Sequence, residues 1–401
     1  MKELNNPFSP GAGKKPPELA GRNANLERAS IILQRFKAGR SDRSSIFTGL
    51  RGVGKTVLLN KINQMADEQK YYTFFIESPE DASLAKLIIP GLRKILLLMD
   101  SKEGAKEKIK IAANALRSFA AAFKIKIGEI NIEVKGPAGI ADSGNLDQDL
   151  VDLLVSVGEA ATESNSAVAI FIDELQYVEK EELAALFAGL HRISQLQLPF
   201  VLFGAGLPQL AGLSGEAKSY AERLFEFQEI GALETKDAIK AIQDPLAREN
   251  VIINTGALKI LLRETEGYPY FLQEWGAHVW RTAKKSPINE DDVKTATRNA
   301  ISTLDTGFFR VRFDRLTPIE KDYLRAMAEL GKGPHRSGDI ASKLGRAVEG
   351  VAPFRSNLIT KGMIFSQQHG DTSFTVPKFD EYMRRVMPKF LPHPIRSRRR
   401  M

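Results

Sequence analysis

The chain of 401 residues contains no cysteine, which excludes disulfides and cysteine-ligated metal sites. It also lacks long apolar runs. The longest, such as Lys94 to Met99 (KILLLM), fall far short of the roughly 20 residues that cross a bilayer. The opening stretch, MKELNNPFSPGAGKKPPELAGR, is polar and rich in Pro and Gly, with no apolar centre like that of a secretory signal. These absences lead us to expect a soluble cytoplasmic protein with no membrane partner. Missing too is any charge excess in the first 300 residues, which hold 38 basic and 39 acidic side chains. Residues 301–401 hold 19 basic against 10 acidic ones, so the whole surplus lies in the last quarter. A neutral body with a basic appendage suggests contact with nucleic acid through that appendage, or a solubilising end. The length suggests two or three domains.

The most informative stretch is TGLRGVGKTVLL, Thr48 to Leu59. It fits the pattern G-x-x-x-x-G-K-[ST] in full, between a strand-like SSIFTG and a helix-like VLLNKINQM. Glycines allow successive backbone N–H groups to turn inward toward phosphate oxygens, and the following helix aims its positive end at the same anion. Gly49, Leu50, Arg51, Gly52, Val53, Gly54, Lys55, Thr56 and Val57 are therefore the expected phosphate-binding residues. Lys55 would reach the outer phosphates and Thr56 would ligate Mg²⁺.

A triphosphate site needs a carboxylate at the end of a neighbouring strand. SAVAIFIDELQYV, Ser166 to Val178, supplies it: a continuous apolar run ending in Asp173 and Glu174. Asp173 is the expected metal ligand, and Glu174 the base that activates water. A further buried strand, LPFVLFGAGLPQL, ends in Gly204-Ala205-Gly206, with no polar residue to sense a γ-phosphate. Slow turnover is the expectation. In KSYAERLFEFQEIGAL a helical end runs into a strand near Phe225, and Arg223 is placed to reach a γ-phosphate, including that of a neighbouring subunit.

With these motifs in place, the chain resembles AAA+ ATPases of the replication-initiator (origin-recognition-like) group, with features of STAND signalling ATPases. ELAGRNANLERA resembles the Gly-Arg motif that lies against adenine there, which implies Leu19, Gly21 and Arg22 near the base of ATP. TEGYPYFLQEWGAHVW resembles the Gly-x-Pro lid motif, which implies Pro269 at the nucleotide. The usual lid arginine is missing from this stretch. The resemblance implies an α/β fold: a P-loop AAA+ three-layer core with a parallel sheet, a small helical lid domain and a C-terminal winged helix-turn-helix. It also implies ATP and Mg²⁺ as cofactors, slow hydrolysis to ADP, and self-association into a homo-oligomer through Arg223.

Composition and periodicity divide the chain into an extended arm (1–20), a nucleotide-binding core (21–233) with an insertion (78–165), a helical lid (234–304), a basic winged-helix domain (305–390) and a basic tail (391–401). Within the insertion two stretches have helical periodicity, and KIKIGEINIEVKG, Lys124 to Gly136, alternates like a hairpin. In the last domain TPIEKDYLRAMAEL carries a capping box, Thr317 with Glu320. Three helices followed by IFSQQHGDTSFTV give the order of a winged helix-turn-helix. Were it to bind double-stranded DNA, the helix from about Arg346 to Lys361 would enter the major groove. Arg355, Ser356 and Asn357 would meet bases or phosphates, and Lys361 and His369 the backbone. Pro353 suggests that this helix starts near Ala352. TGFFRVRFDRL, Thr306 to Leu316, interleaves aromatics with Arg310, Arg312 and Arg315, as a base-stacking or a linker segment would. The alternative partner for the winged helix is a protein, with the domain acting as a latch.

Overall fold

The computed structural model describes the chain except for residues 12, 81–82, 104–105, 126–139, 367–369 and 394–401. The expected hairpin strands, His369 and most of the basic tail thus lie outside the described residues. The chain divides into two compact units.

The sheet unit comprises residues 22–49 and 54–230. In chain order it holds α1 (Asn23–Lys37), β1 (Ser44–Thr48), α2 (Lys55–Glu68), β2 (Tyr72–Glu77), α3 (Leu84–Glu103), α4 (Glu107–Ala122) and α5 (Leu146–Glu163). Then come β3 (Val168–Asp173), a 3-10 turn (Leu175–Tyr177), α6 (Lys180–Gln195), β4 (Phe200–Gly206), α7 (Leu210–Ala217), α8 (Ala221–Leu224) and β5 (Phe225–Glu229). The five strands are parallel, in the order β2-β3-β4-β1-β5.

Every residue of β1, β3 and β4 is buried, as their continuous apolar sequences require of strands covered on both faces. The edge strand β2 alternates buried and partly buried residues. Phe75, Phe171 and Phe203 sit opposite one another across β2, β3 and β4, with stacked rings 6.3 Å and 5.4 Å apart. A one-residue slip would turn each ring to the other face, so this row specifies the register. Helices α3, α4 and α5 are not an appendage. Ile88, Leu92, Leu116, Phe119 and Leu153 join the same core as the strands.

The C-terminal unit comprises residues 1–21, 50–53 and 231–401. It holds α9 (Thr235–Arg248), α10 (Thr255–Thr265), α11 (Pro269–Thr282), α12 (Glu290–Leu304), a π-helical turn (Asp305–Phe309) and α13 (Arg310–Asp314). These are followed by α14 (Pro318–Glu329), β6 (His335–Arg336), α15 (Ser337–Lys343), α16 (Val348–Thr360), β7 (Ile364–Phe365), β8 (Asp371–Phe374) and α17 (Phe379–Val386). The short strands form an antiparallel sheet in the order β6-β8-β7. The capping box expected at Thr317 with Glu320 opens α14, and a second one, Asn289 with Asp292, opens α12.

The N-terminal arm lies along α11. The Met1 ammonium donates to the Ala283 carbonyl at 2.9 Å, and Trp280 Nε1 donates to the Lys2 carbonyl at 2.8 Å. Phe8 is buried against Gly276, where an added Cβ would fall 2.5 Å from the ring.

Three features differ from the sequence expectation. Helix α16 begins at Val348, not near Ala352, and continues through Pro353 in its second turn. Proline removes only one donor there, toward the carbonyl of Glu349, an exposed residue that water reaches. Strand β6 completes a third member of the small sheet, and α17 follows the hairpin.

Candidate functional site

The carboxyl ends of β1, β3 and β4 converge in the sheet unit, the usual place for a ligand in an open parallel sheet. Gly49 N donates to the Gly206 carbonyl at 3.1 Å, and Ser78 N to the Asp173 carbonyl at 3.1 Å. Beyond β1 the chain turns through Gly52 (φ 87°) and Gly54 (φ 93°), both left-handed, before α2 starts at Lys55. A residue with a Cβ is strained in that region, which suits glycine both at the fixed motif position 54 and at the variable position 52. Lys55 is buried, and its Nζ donates to the Gly49 carbonyl at 2.9 Å, folding the lysine back along the loop.

Thr56 Oγ1 donates to Asp173 Oδ2 at 2.5 Å, so the helix-start hydroxyl and the carboxylate at the end of β3 share one position. Two hard oxygen donors side by side suit Mg²⁺, which takes few protein ligands and keeps waters and phosphate oxygens. Among the described residues no group of three or more His, Asp or Glu is arranged to hold a metal ion, at this site or away from it. Asp173 is 2% exposed, and burial pushes its carboxyl above the ordinary range against the opposing Thr56 hydrogen bond. A carboxylate left uncomfortable in this way gains from a cation.

Glu174 follows in a left-handed conformation (φ 56°, ψ 39°), its N–H bonded to Asp173 Oδ1 at 2.9 Å. The carboxylate of Glu174 accepts a hydrogen bond from Gln176 Nε2, a residue the sequence reading passed over. Arg223 is exposed in the four-residue α8. Arg22, buried at the start of α1, also belongs to this unit.

The C-terminal unit holds the tip of the loop, Leu50 to Val53, and its neighbours. The Tyr268 hydroxyl donates to the Arg51 carbonyl. Tyr270 N donates to the Gly52 carbonyl at 3.1 Å, and Arg51 N to the Thr375 carbonyl at 3.3 Å. A Cβ at Gly52 would lie 3.1 Å from both Tyr268 and Tyr270. Pro269 is the first residue of α11, between these two tyrosines. Gly21 packs on Leu233 and Asp237, and Leu233 N bonds the Gly267 carbonyl at 2.9 Å. The Gly-Arg and Gly-x-Pro stretches thus meet through Leu233; Leu19 is half-buried close by in sequence.

Arg312, placed by the sequence in a base-stacking or linker segment, approaches the same tip. Its guanidinium lies 3.9 Å over the Phe308 ring, which stacks on Tyr270 at 4.8 Å. Burial and the like charge of Arg51 push Arg312 down to about 10. Positive charge from both arginines at the loop tip suits a polyanion.

The residues expected at a DNA surface are divided. Arg355 turns inward, Nε donating to Thr372 Oγ1 at 3.1 Å and Nη2 to the Asp371 carbonyl at 3.2 Å. Lys361 Nζ donates to both carboxylate oxygens of Glu320, at 2.9 Å and 2.7 Å. Ser356 and Asn357 are exposed on α16, and His369 lies outside the described residues.

Residues 18–203 match the AAA ATPase domain family. That match spans 186 of the 401 residues, and over it the chain is similar to AAA ATPase domains. Residues 306–383 match a family described as a domain of unknown function (DUF8462). No curated protein matches the sequence. In fold the chain is similar to a Walker-type ATPase of Pyrococcus abyssi, with a TM-score of 0.57 at 14% identity, over 92% of this chain and 97% of that one. Two further structures align with TM-scores of 0.45. One is the RuvB Holliday junction branch migration motor of Thermotoga maritima, at 15% identity over 94% of this chain and 98% of that one. The other is the Orc1 protein of Aeropyrum pernix in complex with DNA, at 14% identity over 92% of this chain and 94% of that one. At 14% identity the likeness to the Pyrococcus abyssi structure bears on the fold alone, and the other two are too distant to bear on it. Among the described residues no helix is long and apolar enough to cross a membrane.

Proposed function

We propose that the chain is an ATP-dependent switch in which the state of the phosphate-binding loop is passed to the C-terminal domain. The observation that carries this reading is the bonding of the loop tip. Arg51 and Gly52 are held by Tyr268, Tyr270 and Thr375, residues of the lid motif and of the segment after β8. A triphosphate that closes the loop changes what those three residues touch, and so biases two arrangements of the C-terminal unit.

In this reading the loop amides from Gly49 to Val57 and the Lys55 ammonium hold the phosphates, with Arg51 and Arg312 adding positive charge at the tip. Thr56 and Asp173 hold Mg²⁺, which supplies charge neutralisation on the phosphate oxygens. Glu174 orients water and accepts its proton. Leu19, Gly21, Arg22 and Pro269 line the base. Arg223 acts across a boundary between copies of the chain in a homo-oligomer, where its exposure leaves it available. Hydrolysis is slow, since the end of β4 offers no polar sensor of its own.

Residues 305–390 act as a winged helix-turn-helix, and the excess of positive charge there favours double-stranded DNA as partner, met by the exposed face of α16 with Ser356 and Asn357. A second reading, a protein latch, draws on the inward turn of Arg355 and Lys361, which removes two cations from that face. One experiment separates them: gel shifts with duplex DNA, with and without ATP and Mg²⁺, on wild type, Lys55→Ala and Glu174→Gln. The switch reading expects Lys55→Ala to lose nucleotide binding and Glu174→Gln to trap the ATP-bound form. DNA binding that falls steeply with salt supports the first partner. Absence of a shift at low salt, together with nucleotide-dependent self-association, supports the second. Wild-type turnover in Glu174→Gln would remove the assignment of the base.

A further inference from the structure

We propose that Gln176 is the positioning residue for the hydrolytic base and fills the place left empty at the end of β4. The proposal rests on the reading of Glu174 as that base.

Three observations converge, all within the sheet unit. The first is the shape of the strand end. A Cβ on Gly206 would fall 2.7 Å from Gln176 Oε1, and one on Gly204 would fall 2.4 Å from Leu175 Cδ1. The two glycines are therefore not a missing sensor alone. They make room for side chains that enter from the turn after β3. The second is the double bonding of the Gln176 amide. Its Oε1 accepts from Leu207 N at 3.0 Å, and its Nε2 donates to the Glu174 carboxylate. A backbone N–H can only donate and a carboxylate can only accept, so the amide has one permitted orientation. Flipping it would set donor against donor and acceptor against acceptor. The third is the backbone. Glu174 occupies the left-handed region (φ 56°, ψ 39°), and its N–H is tied to Asp173 Oδ1 at 2.9 Å. A non-glycine residue there costs roughly 1–3 kcal/mol and persists where its surroundings impose it.

Together these fix the Glu174 carboxylate relative to the end of β4 through one uncharged amide. A base placed by a loop alone would sample several positions. Here the carboxylate is referenced to a fully buried strand, and misplacing a reacting group by about 1 Å costs on the order of 100-fold in rate. Gln176 itself touches neither water nor phosphate in this scheme. It acts through Glu174, and it ties the base to the strand end that borders the phosphate-binding loop through Gly49.

The test compares wild type with Gln176→Leu and Gln176→Glu. The Glu variant keeps size, shape and the acceptor for Leu207 N–H but loses the donor to Glu174. Binding of a fluorescent ATP analogue with Mg²⁺, kcat and KM from phosphate release, and Tm are measured on each. We expect both variants to bind within about threefold of wild type with KM unchanged, Tm to drop by a few degrees in the Leu variant, which leaves the Leu207 N–H without its acceptor, and kcat to fall about tenfold or more, the Glu variant faring no better than Leu. A wild-type rate in Gln176→Glu would show that shape and the Leu207 contact suffice, and would overturn the proposal. So would a kcat within twofold of wild type in both variants, a rise in kcat, or a parallel loss of nucleotide binding. Failure of the wild type itself to hydrolyse ATP would instead refute the ATPase reading beneath it.

Discussion

Replacing Lys361 with methionine tests whether that lysine is a surface contact or an internal strut. Its ammonium sits on both oxygens of Glu320, which is 2% exposed. Removing the cation strands a buried carboxylate. At the least the chain loses charge-assisted hydrogen bonds, about 1.5 kcal/mol. At the most Glu320 escapes by taking up a proton. From an ordinary value of about 4.3 to pH 7 that costs about 3.7 kcal/mol, which caps the effect. We therefore expect a loss of about 1.5–3.7 kcal/mol, reaching only the lower part of the roughly 3–5 kcal/mol seen for wholly sequestered pairs, because Thr317 N still donates to Glu320 at 2.8 Å. Amide hydrogen exchange in α14 and α16 is the assay, since a chain of two units need not unfold in one step.

The pH dependence follows from the same pair. Burial alone would raise the Glu320 carboxyl, but the Lys361 ammonium and the Thr317 N–H outweigh it and hold it below the ordinary value. A carboxyl lowered in the folded state contributes stability that is full above its unfolded value and is lost as pH falls through its folded one. The gap between wild type and Lys361→Met should therefore narrow toward acid. The double variant Glu320→Gln with Lys361→Met should recover most of the loss, as glutamine still serves the capping box. A cost under about 0.5 kcal/mol, or no recovery in the double variant, would refute the reasoning. If the double variant also restores any DNA binding lost in the single one, Lys361 is not a phosphate contact.

Two further outcomes follow from the site. Burial raises Asp173, so in nucleotide-free protein stability should fall as pH rises through the window between its unfolded and folded values; Asp173→Asn should raise Tm at pH 7–8, by about 2 °C or more, while losing Mg²⁺-dependent ATP binding, and a lowered Tm would count against the assignment. At Gly52 (φ 87°) an alanine must adopt a strained backbone and press on Tyr268 and Tyr270, so Gly52→Ala should weaken ATP binding at least about tenfold in a titration, and unchanged affinity would show that the tip does not matter.

Part of this architecture is legible in the sequence. The continuous apolar runs of β1, β3 and β4 announced buried parallel strands, and the glycine spacing before Lys55 and Thr56 announced a tight turn between β1 and α2. Asp173 and Glu174 stood out because acid directly after such a run is costly without a task. Other parts were silent for physical reasons. Strand β6 is two residues long, too short for any periodicity, and exists because β8 offers it a partner. Pro353 pointed to a later helix start, and packing of α16 overrode it. Gln176 carries no local signal, since glutamine in a turn after an acidic pair is ordinary. Only the glycines at the end of β4 hinted that something else occupied that space.

The amino-acid order alone determined which segments become strand or helix, where glycine lets the backbone turn left-handed, and which polar side chains stand at the carboxyl ends of the buried strands. Those properties depend on neighbours a few residues away, through backbone sterics and the two periodicities of burial. Tertiary structure decided how charges and amides are spent. Lys361 went to Glu320, Arg355 to the β8 strand, Gln176 to Glu174 and Leu207, and the loop tip to Tyr268, Tyr270 and Thr375. A polar group withdrawn from water must find a partner wherever the fold brings one, and that partner can lie hundreds of residues away in the chain.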